Sequence, residues 1–180
     1  MRSPAERPRV GISRCLLGEE VRHDGSHRRN DVVVDGLSRH VDWVPVCPEV
    51  EIGMGTPREP IQLVARPDGV RSAGARVRLL GVHSGDDWTD RMAEWARDRV
   101  QSLRMLNLSG FILKARSPSC GFRHVTVHQE EGDRAGRGLF AQALVEAMPD
   151  LPIEDEDRLA DPRIREEFLR RLLLRRNSGS

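Results

Sequence analysis

Cys15, Cys47 and Cys120 are the only cysteines in the chain, and each stands where an apolar run ends. Cys15 follows the run at 10–12, Cys47 follows the run at 44–46, and Cys120 closes GFILKARSPSC, whose apolar run is 111–113. Short apolar runs of this kind read as buried strands. In a parallel α/β sheet the carboxyl ends of the strands open onto one crevice, where ligands bind. Three thiolates delivered there can hold a metal centre and leave one coordination position free for chemistry. The ordinary alternative is three buried free thiols, because cysteine packs as a small hydrophobe. The local sequences CLLG, VCPE and SPSCG weigh against it. They are turn sequences, and turns bring backbone N–H groups near the sulfurs, which favours thiolate.

Two metal chemistries stay open at this point. A structural zinc takes four ligands, often in Cys-x-x-Cys pairs that are absent here, so a histidine would have to complete the set. His124 and His128 are nearest to Cys120 in sequence. A [4Fe–4S] cluster takes four cysteines as a rule; with three, one iron is left uncapped and acts as a Lewis acid with a taste for soft sulfur. A cysteine-phosphatase loop is excluded, since the sixth position after Cys15 is Val21 and not arginine. The candidate acids are Asp24, Glu49 and Glu51. Glu49 lies two residues after Cys47, close enough to share its crevice and serve as acid or base, although a solvated loop carboxylate explains it as simply. Ser117 and Ser119 flank Pro118 just before Cys120, where turn chemistry alone accounts for serine. Lys114, six residues before Cys120, is the single lysine in a chain rich in arginine.

The elements that position these residues alternate between strand and helix. Strands are expected at 10–12, 43–46, 61–65, 76–82, 110–113 and 123–128. A turn is expected at Pro67-Asp68-Gly69. Helices are expected at 30–40 behind Asn30, at 86–106 behind Asp86 or Asp87, at 135–148, and from Asp161-Pro162 to about 175. The 86–106 stripe is Met92, Trp95, Ala96, Val100, Leu103 and Leu106. The 135–148 helix turns Leu139, Phe140, Ala143, Leu144 and Ala147 inward, and the last helix turns in Ile164, Phe168, Leu172 and Leu173. This pattern predicts an α/β fold, a single compact domain with a mainly parallel sheet flanked by helices. Residues 1–8 read as a loose leader, 9–176 as the domain and 177–180 as a frayed tail.

A chain of 180 residues can bury a core of its own without staples. Its formal net charge of +1 gives no basic footprint for nucleic acid or membrane. No run approaches the ~20 apolar residues of a membrane span, and the N-terminus lacks a signal peptide's apolar stretch. The odd, sparse cysteine count suits a reducing compartment, so a cytoplasmic protein is expected. Nothing in the sequence sets an oligomeric state.

Four segments together, GISRCLLGEEVRHDG, VPVCPEVEIGMGTPREPI, GFILKARSPSCG and GRGLFAQALVEAMPDLPIEDEDRLADPRIREEF, resemble the thiouracil desulfidase family. The likeness runs from about Arg9 to Phe168 with the motifs in the family's order. It implies a Rossmann-like domain carrying a [4Fe–4S] cluster on Cys15, Cys47 and Cys120. It implies removal of sulfur from a small thiolated uracil, with Glu49 and Ser117 activating water and moving protons. The chain departs from the family at Arg14, where a small residue is usual, at His23, where Tyr is common, and in GRGLF. The competing expectations are a non-catalytic iron–sulfur or zinc sensor, which would need neither Glu49 nor Ser117, and a desulfidase acting on thiolated RNA. Balanced charge and few aromatics make nucleic acid an unfavoured partner.

Overall fold

The structure is a computed structural model that describes residues 7–66 and 77–178. Strands β1 (Arg9–Ser13), β2 (Asp42–Val46), β5 (Gly110–Leu113) and β8 (Ile153–Asp155) form a sheet in the order β2-β1-β5-β8. All its pairings are parallel. Every residue of β5 is buried, as a strand covered on both faces must be. Helices α3 (Thr89–Met105) and α4 (Leu139–Ala147) cover one face, where Ala96, Val100, Leu103, Phe140 and Leu144 meet Phe111 and Leu113. Helices α1 (Asp31–Leu37) and α6 (Pro162–Ser178) cover the other, where Val33, Leu37, Phe168 and Leu172 meet Val10, Ile12 and Ile112. Gly11 permits this packing: a Cβ there would stand 2.2 Å from the ring of Phe111.

The chain leaves β1 to build β2 on one side and later returns to build β5 on the other. The strand order therefore reverses at β1, and the carboxyl ends of β1 and β5 flank the crevice that such a reversal opens. The expected α/β architecture is present.

A second sheet was not foreseen. Strands β3 (Ile61–Ala65), β4 (Val77–Gly81), β6 (Val125–His128) and β7 (Arg134–Gly136) lie in the order β4-β3-β6-β7 with mixed directions. Its apolar face holds Leu63, Leu79, Val125 and Val127 against Met92 and Ile52. Trp95 packs against this core and against the α3–α4 core, joining the two sheets through one helix.

Several boundaries differ from those expected. Residues 134–136 pair antiparallel with β6, so α4 starts at Leu139 and not at 135. Helix α3 starts at Thr89, because Asp87 accepts the Thr89 N–H at 3.0 Å while the Thr89 hydroxyl receives the N–H of Leu79 at 2.8 Å. Helix α6 continues to Ser178, past the expected end at 175 and into the expected tail. Leu173 is 37% exposed, since the buried face repeats at 164, 168 and 172 and leaves 173 a step off it. Asn30 caps α1 as expected, its side chain accepting the Val33 N–H at 3.0 Å. Residues 1–6 of the leader, the turn at 67–69 and Gly179-Ser180 lie outside the described residues. Arg7 is held by Asp42 at 2.5 Å. Among the described residues no helix is long and apolar enough to cross a membrane.

Candidate metal centre and active site

Three strands of the parallel sheet deliver the site. Past the end of β1, the 3-10 turn Arg14–Leu17 carries Cys15. Past β2, Cys47 caps the short helix α2 (Pro48–Glu51). Past β5, the segment from Lys114 leads to Cys120. All three cysteines are free thiols, and all line one cavity of about 380 Å³. Ligand pockets run from ~300 to 1,000 Å³, so this one suits a small ring.

The Cys120 turn is fastened to α4. The carbonyl oxygens of Pro118 and Ser119 accept the N–H groups of Leu139 and Phe140 at 3.2 and 3.0 Å. These are N–H groups that the first helical turn leaves without partners. The Gly138 N–H bonds to the carbonyl of Gly121 at 2.8 Å, and a Cβ on Gly138 would stand 2.5 Å from the Ser119 carbonyl oxygen.

Burial pushes the Cys15 thiol up to about 11, and the nearby Cys47 adds to it, while Lys114 opposes. Burial and Cys47 likewise hold Cys120 well above an ordinary thiol, against a hydrogen bond from Ser13. Burial also raises Cys47, although the Val50 N–H faces its sulfur. The turn N–H groups therefore do not create thiolates by themselves, contrary to the sequence expectation. Desolvation outweighs them, and the three sulfurs oppose one another's ionisation. Such a donor set calls for a cation, whose charge reverses both effects on binding and releases the thiol protons.

The spacing bears on which cation. Thiolates sharing one tetrahedral zinc at ~2.3 Å each lie within ~3.8 Å of one another. Among the described residues no group of three His, Cys, Asp or Glu side chains is gathered tightly enough to hold a metal ion. Neither histidine nearest Cys120 in sequence joins the cysteines: exposed His128 pairs with Asp133 at 2.9 Å, and exposed His124 is absent from the cavity wall, which His23 lines instead. Three cysteines lining one cavity fit a multi-iron cube, whose ligands sit on separate irons.

Of the three candidate acids only Glu49 lines the cavity. Glu51 receives the Cys47 N–H at 3.1 Å and pairs with Arg99 at 3.1 Å. Exposed Asp24 accepts the N–H and hydroxyl of Ser26, bonds that hold its carboxyl down at about 2. Glu49 Oε2 receives Arg58 Nη2 at 2.5 Å and Nε at 2.9 Å. Glu49 Oε1 receives the Ser119 hydroxyl at 2.7 Å. Ser117 Oγ lies 3.0 Å from Ser119 Oγ and accepts the Cys120 N–H at 3.1 Å. The fold thus brings Cys15, Cys47, Cys120, Glu49 and Ser117 to one cavity.

Sequence reasoning missed Arg58. Its side chain is 5% exposed, and its only signal was a charged residue inside the turn-rich TPREP segment that follows Glu49. Ser119, fully buried, was noted only as a turn residue. Lys114 lines the cavity, and its ammonium pairs with buried Glu156, which also receives the Ala115 N–H at 2.7 Å. Of the departures, Arg14 pairs with Glu19 at 2.5 Å, His23 lines the cavity and Arg137 donates to the Phe122 carbonyl at 3.1 Å.

Comparison with known proteins gives concordant results. A family model described as 2-thiouracil desulfurase matches residues 10–156, a span that includes every residue lining the cavity. Protein YbbK of Bacillus subtilis (strain 168) is 32% identical over 138 residues, which is 76% of this chain and 89% of that one. The solved structure of the [4Fe-4S]-dependent thiouracil desulfidase TudS matches with a TM-score of 0.59 at 26% identity, covering 89% of this chain and 97% of that chain.

Proposed function

We propose that this chain, which belongs to the 2-thiouracil desulfurase family, replaces the C=S of a small thiolated uracil by C=O at a [4Fe–4S] cluster held by Cys15, Cys47 and Cys120. The observation that carries the reading is the convergence of three free thiols from three parallel strand ends on one cavity that also holds Glu49. The likeness to TudS supports the choice of cluster. When bound, such a cluster supplies a Lewis-acidic, thiophilic iron free of protein ligands.

The chain's own residues supply the rest. Glu49, held in the cavity wall, takes a proton from water. Ser117, on the turn that carries Cys120, passes a proton toward the departing sulfur. The cavity of about 380 Å³ supports a free base or nucleoside as substrate rather than a polymer. The overall change, C=S + H₂O → C=O + H₂S, alters no oxidation state, so no electron-transfer partner is needed. The three free thiols suit a reducing, cytoplasmic setting.

The test is anaerobic purification with iron and sulfide counting, followed by assay of 4-thiouracil conversion to uracil. Four irons per chain and stoichiometric sulfide release are expected of a [4Fe–4S] desulfidase. A colourless, zinc-loaded protein from an iron-replete preparation would refute the cluster. A loaded protein inert toward every thiopyrimidine would favour the sensor.

A further inference from the structure

We propose that Ser119 and Arg58 are positioning residues for Glu49, with Ser119 the link that makes Glu49 and Ser117 one hydrogen-bonded chain. The inference rests on the roles given to Glu49 and Ser117 above.

The direction of the chain follows from counting protons. Ser119 has a single hydroxyl proton. Glu49 Oε1 at 2.7 Å claims it over the Cys120 sulfur at 3.8 Å. In the 3.0 Å contact between the two serines, Ser119 Oγ must then accept and Ser117 must donate. Ser117 Oγ is itself filled by two backbone donors, the N–H groups of Cys120 at 3.1 Å and Ser119 at 3.3 Å. Both hydroxyl protons therefore point along the chain toward the carboxylate, and Ser117 has none directed at the cavity.

Ser117 can donate to a departing sulfur only if the chain reverses. Once Glu49 has taken a proton from water, its carboxylic O–H donates to Ser119, Ser119 donates to Ser117, and the Ser117 proton is free to leave. The hydroxide forms the new C–O bond as the C=S π bond opens onto sulfur, and the proton from Ser117 goes to that sulfur. HS− then departs with the electron pair of the C–S bond while the remaining hydroxyl proton passes to it as C=O closes, giving H₂S. Glu49, Ser119 and Ser117 end as they began, and nothing is oxidised or reduced. Without the Ser119 hydroxyl the two ends are no longer connected.

Arg58 holds the chain in register. Two of its nitrogens grip Oε2, Nη2 also donates to the Val21 carbonyl at 2.9 Å, and Nη1 donates to the Gly55 carbonyl at 2.8 Å. A buried guanidinium fixed to two loops cannot follow a rotating carboxylate, so Oε2 stays with Arg58 and Oε1 stays with Ser119. An ammonium offers a point charge in place of this fork.

The experiment uses cluster-loaded Ser119→Ala and Arg58→Ala proteins, with rates of 4-thiouracil turnover normalised to iron content, and crystal structures of both apoproteins. Ser119→Ala should lower kcat by about 10²-fold or more with KM nearly unchanged. Arg58→Ala should lose kcat to a similar extent and regain part of it with millimolar guanidinium but not with methylammonium. In the Arg58→Ala crystal the Glu49 carboxylate should leave its place beside residue 119. A parental kcat in Ser119→Ala, or rescue by both cations alike, would overturn the proposal. So would an unmoved Glu49 in the Arg58→Ala crystal, whatever the activity. An inactive parent protein combined with a displaced Glu49 would remove the desulfidation reading and leave the positioning role standing.

Discussion

The thiols and the carboxylate face each other across one cavity, yet they are built in opposite ways. The cysteines are placed by topology: each follows a strand of the parallel sheet, and burial holds every one of them above an ordinary thiol. Glu49 is placed by its neighbours, with both carboxylate oxygens engaged by Arg58 and Ser119. The thiol corner is thus shaped for a partner that the chain does not encode, whereas the carboxylate wall is complete as folded. Preorganised polar groups serve chemistry, and frustrated donors serve capture.

This contrast can be broken from either side. The largest effect belongs to the corner: Cys47→Ala, Cys15→Ala or Cys120→Ala should each abolish iron retention, read as loss of iron and of visible absorbance. On the wall, Glu49→Gln should keep its iron and lose about 10²–10⁴-fold in rate. Equal iron loss in Glu49→Gln and the cysteine variants would erase the distinction.

Beneath both lies the Lys114–Glu156 pair, with side chains 15% and 7% exposed. Lys114→Met strands a buried carboxylate, and breaking such a pair typically costs about 3–5 kcal/mol, measurable by urea unfolding of the apoprotein. The thiols make the next prediction. A Cys15 thiol raised to about 11 stays protonated in the folded apoprotein while the unfolded chain ionises near 9. Its contribution is therefore full below pH ~9 and is lost as pH rises toward 11. That is worth about 2–3 kcal/mol from Cys15. Denaturation midpoints between pH 8 and 11 check the slope, and a rise in stability over that range would contradict it. The smallest effect is expected from chelation. Only Val46 and Cys120 of the core around Phe111 and Phe140 line the cavity, and no buried residue of the core around Ile112 and Phe168 does, so removing metal should leave the far-ultraviolet circular dichroism unchanged.

The sequence was most readable at the corner. Each apolar run before a cysteine is a parallel strand, and the buried ones, β1 and β5, announce themselves by composition alone, while the edge strand β2 is half-exposed. The wall was only half readable. Glu49 stood out by its nearness to Cys47, but Arg58 was one arginine among many, and its partners at Val21 and Gly55 lie 37 and 3 residues away. The second sheet was hidden for a related reason. Strand β7 has three residues without alternation, and it became a strand only because β6 was there to pair with it. Lys114 was noticed for its rarity, and the fold supplied its meaning by seating it over Glu156.

Gly138 shows where this arrangement is least free to drift. Its backbone is extended and ordinary, at φ −63° and ψ 149°, so the constraint is not conformational. A methyl group there would press into the peptide between Ser119 and Cys120, displacing both residues at one stroke. The start of α4 would move with them, since the Phe140 N–H hangs on the same peptide. In a saturation library selected for activity, position 138 should therefore tolerate substitution about as poorly as the cysteines. A site's evolutionary rigidity can thus reside in a residue that contributes no functional group to it.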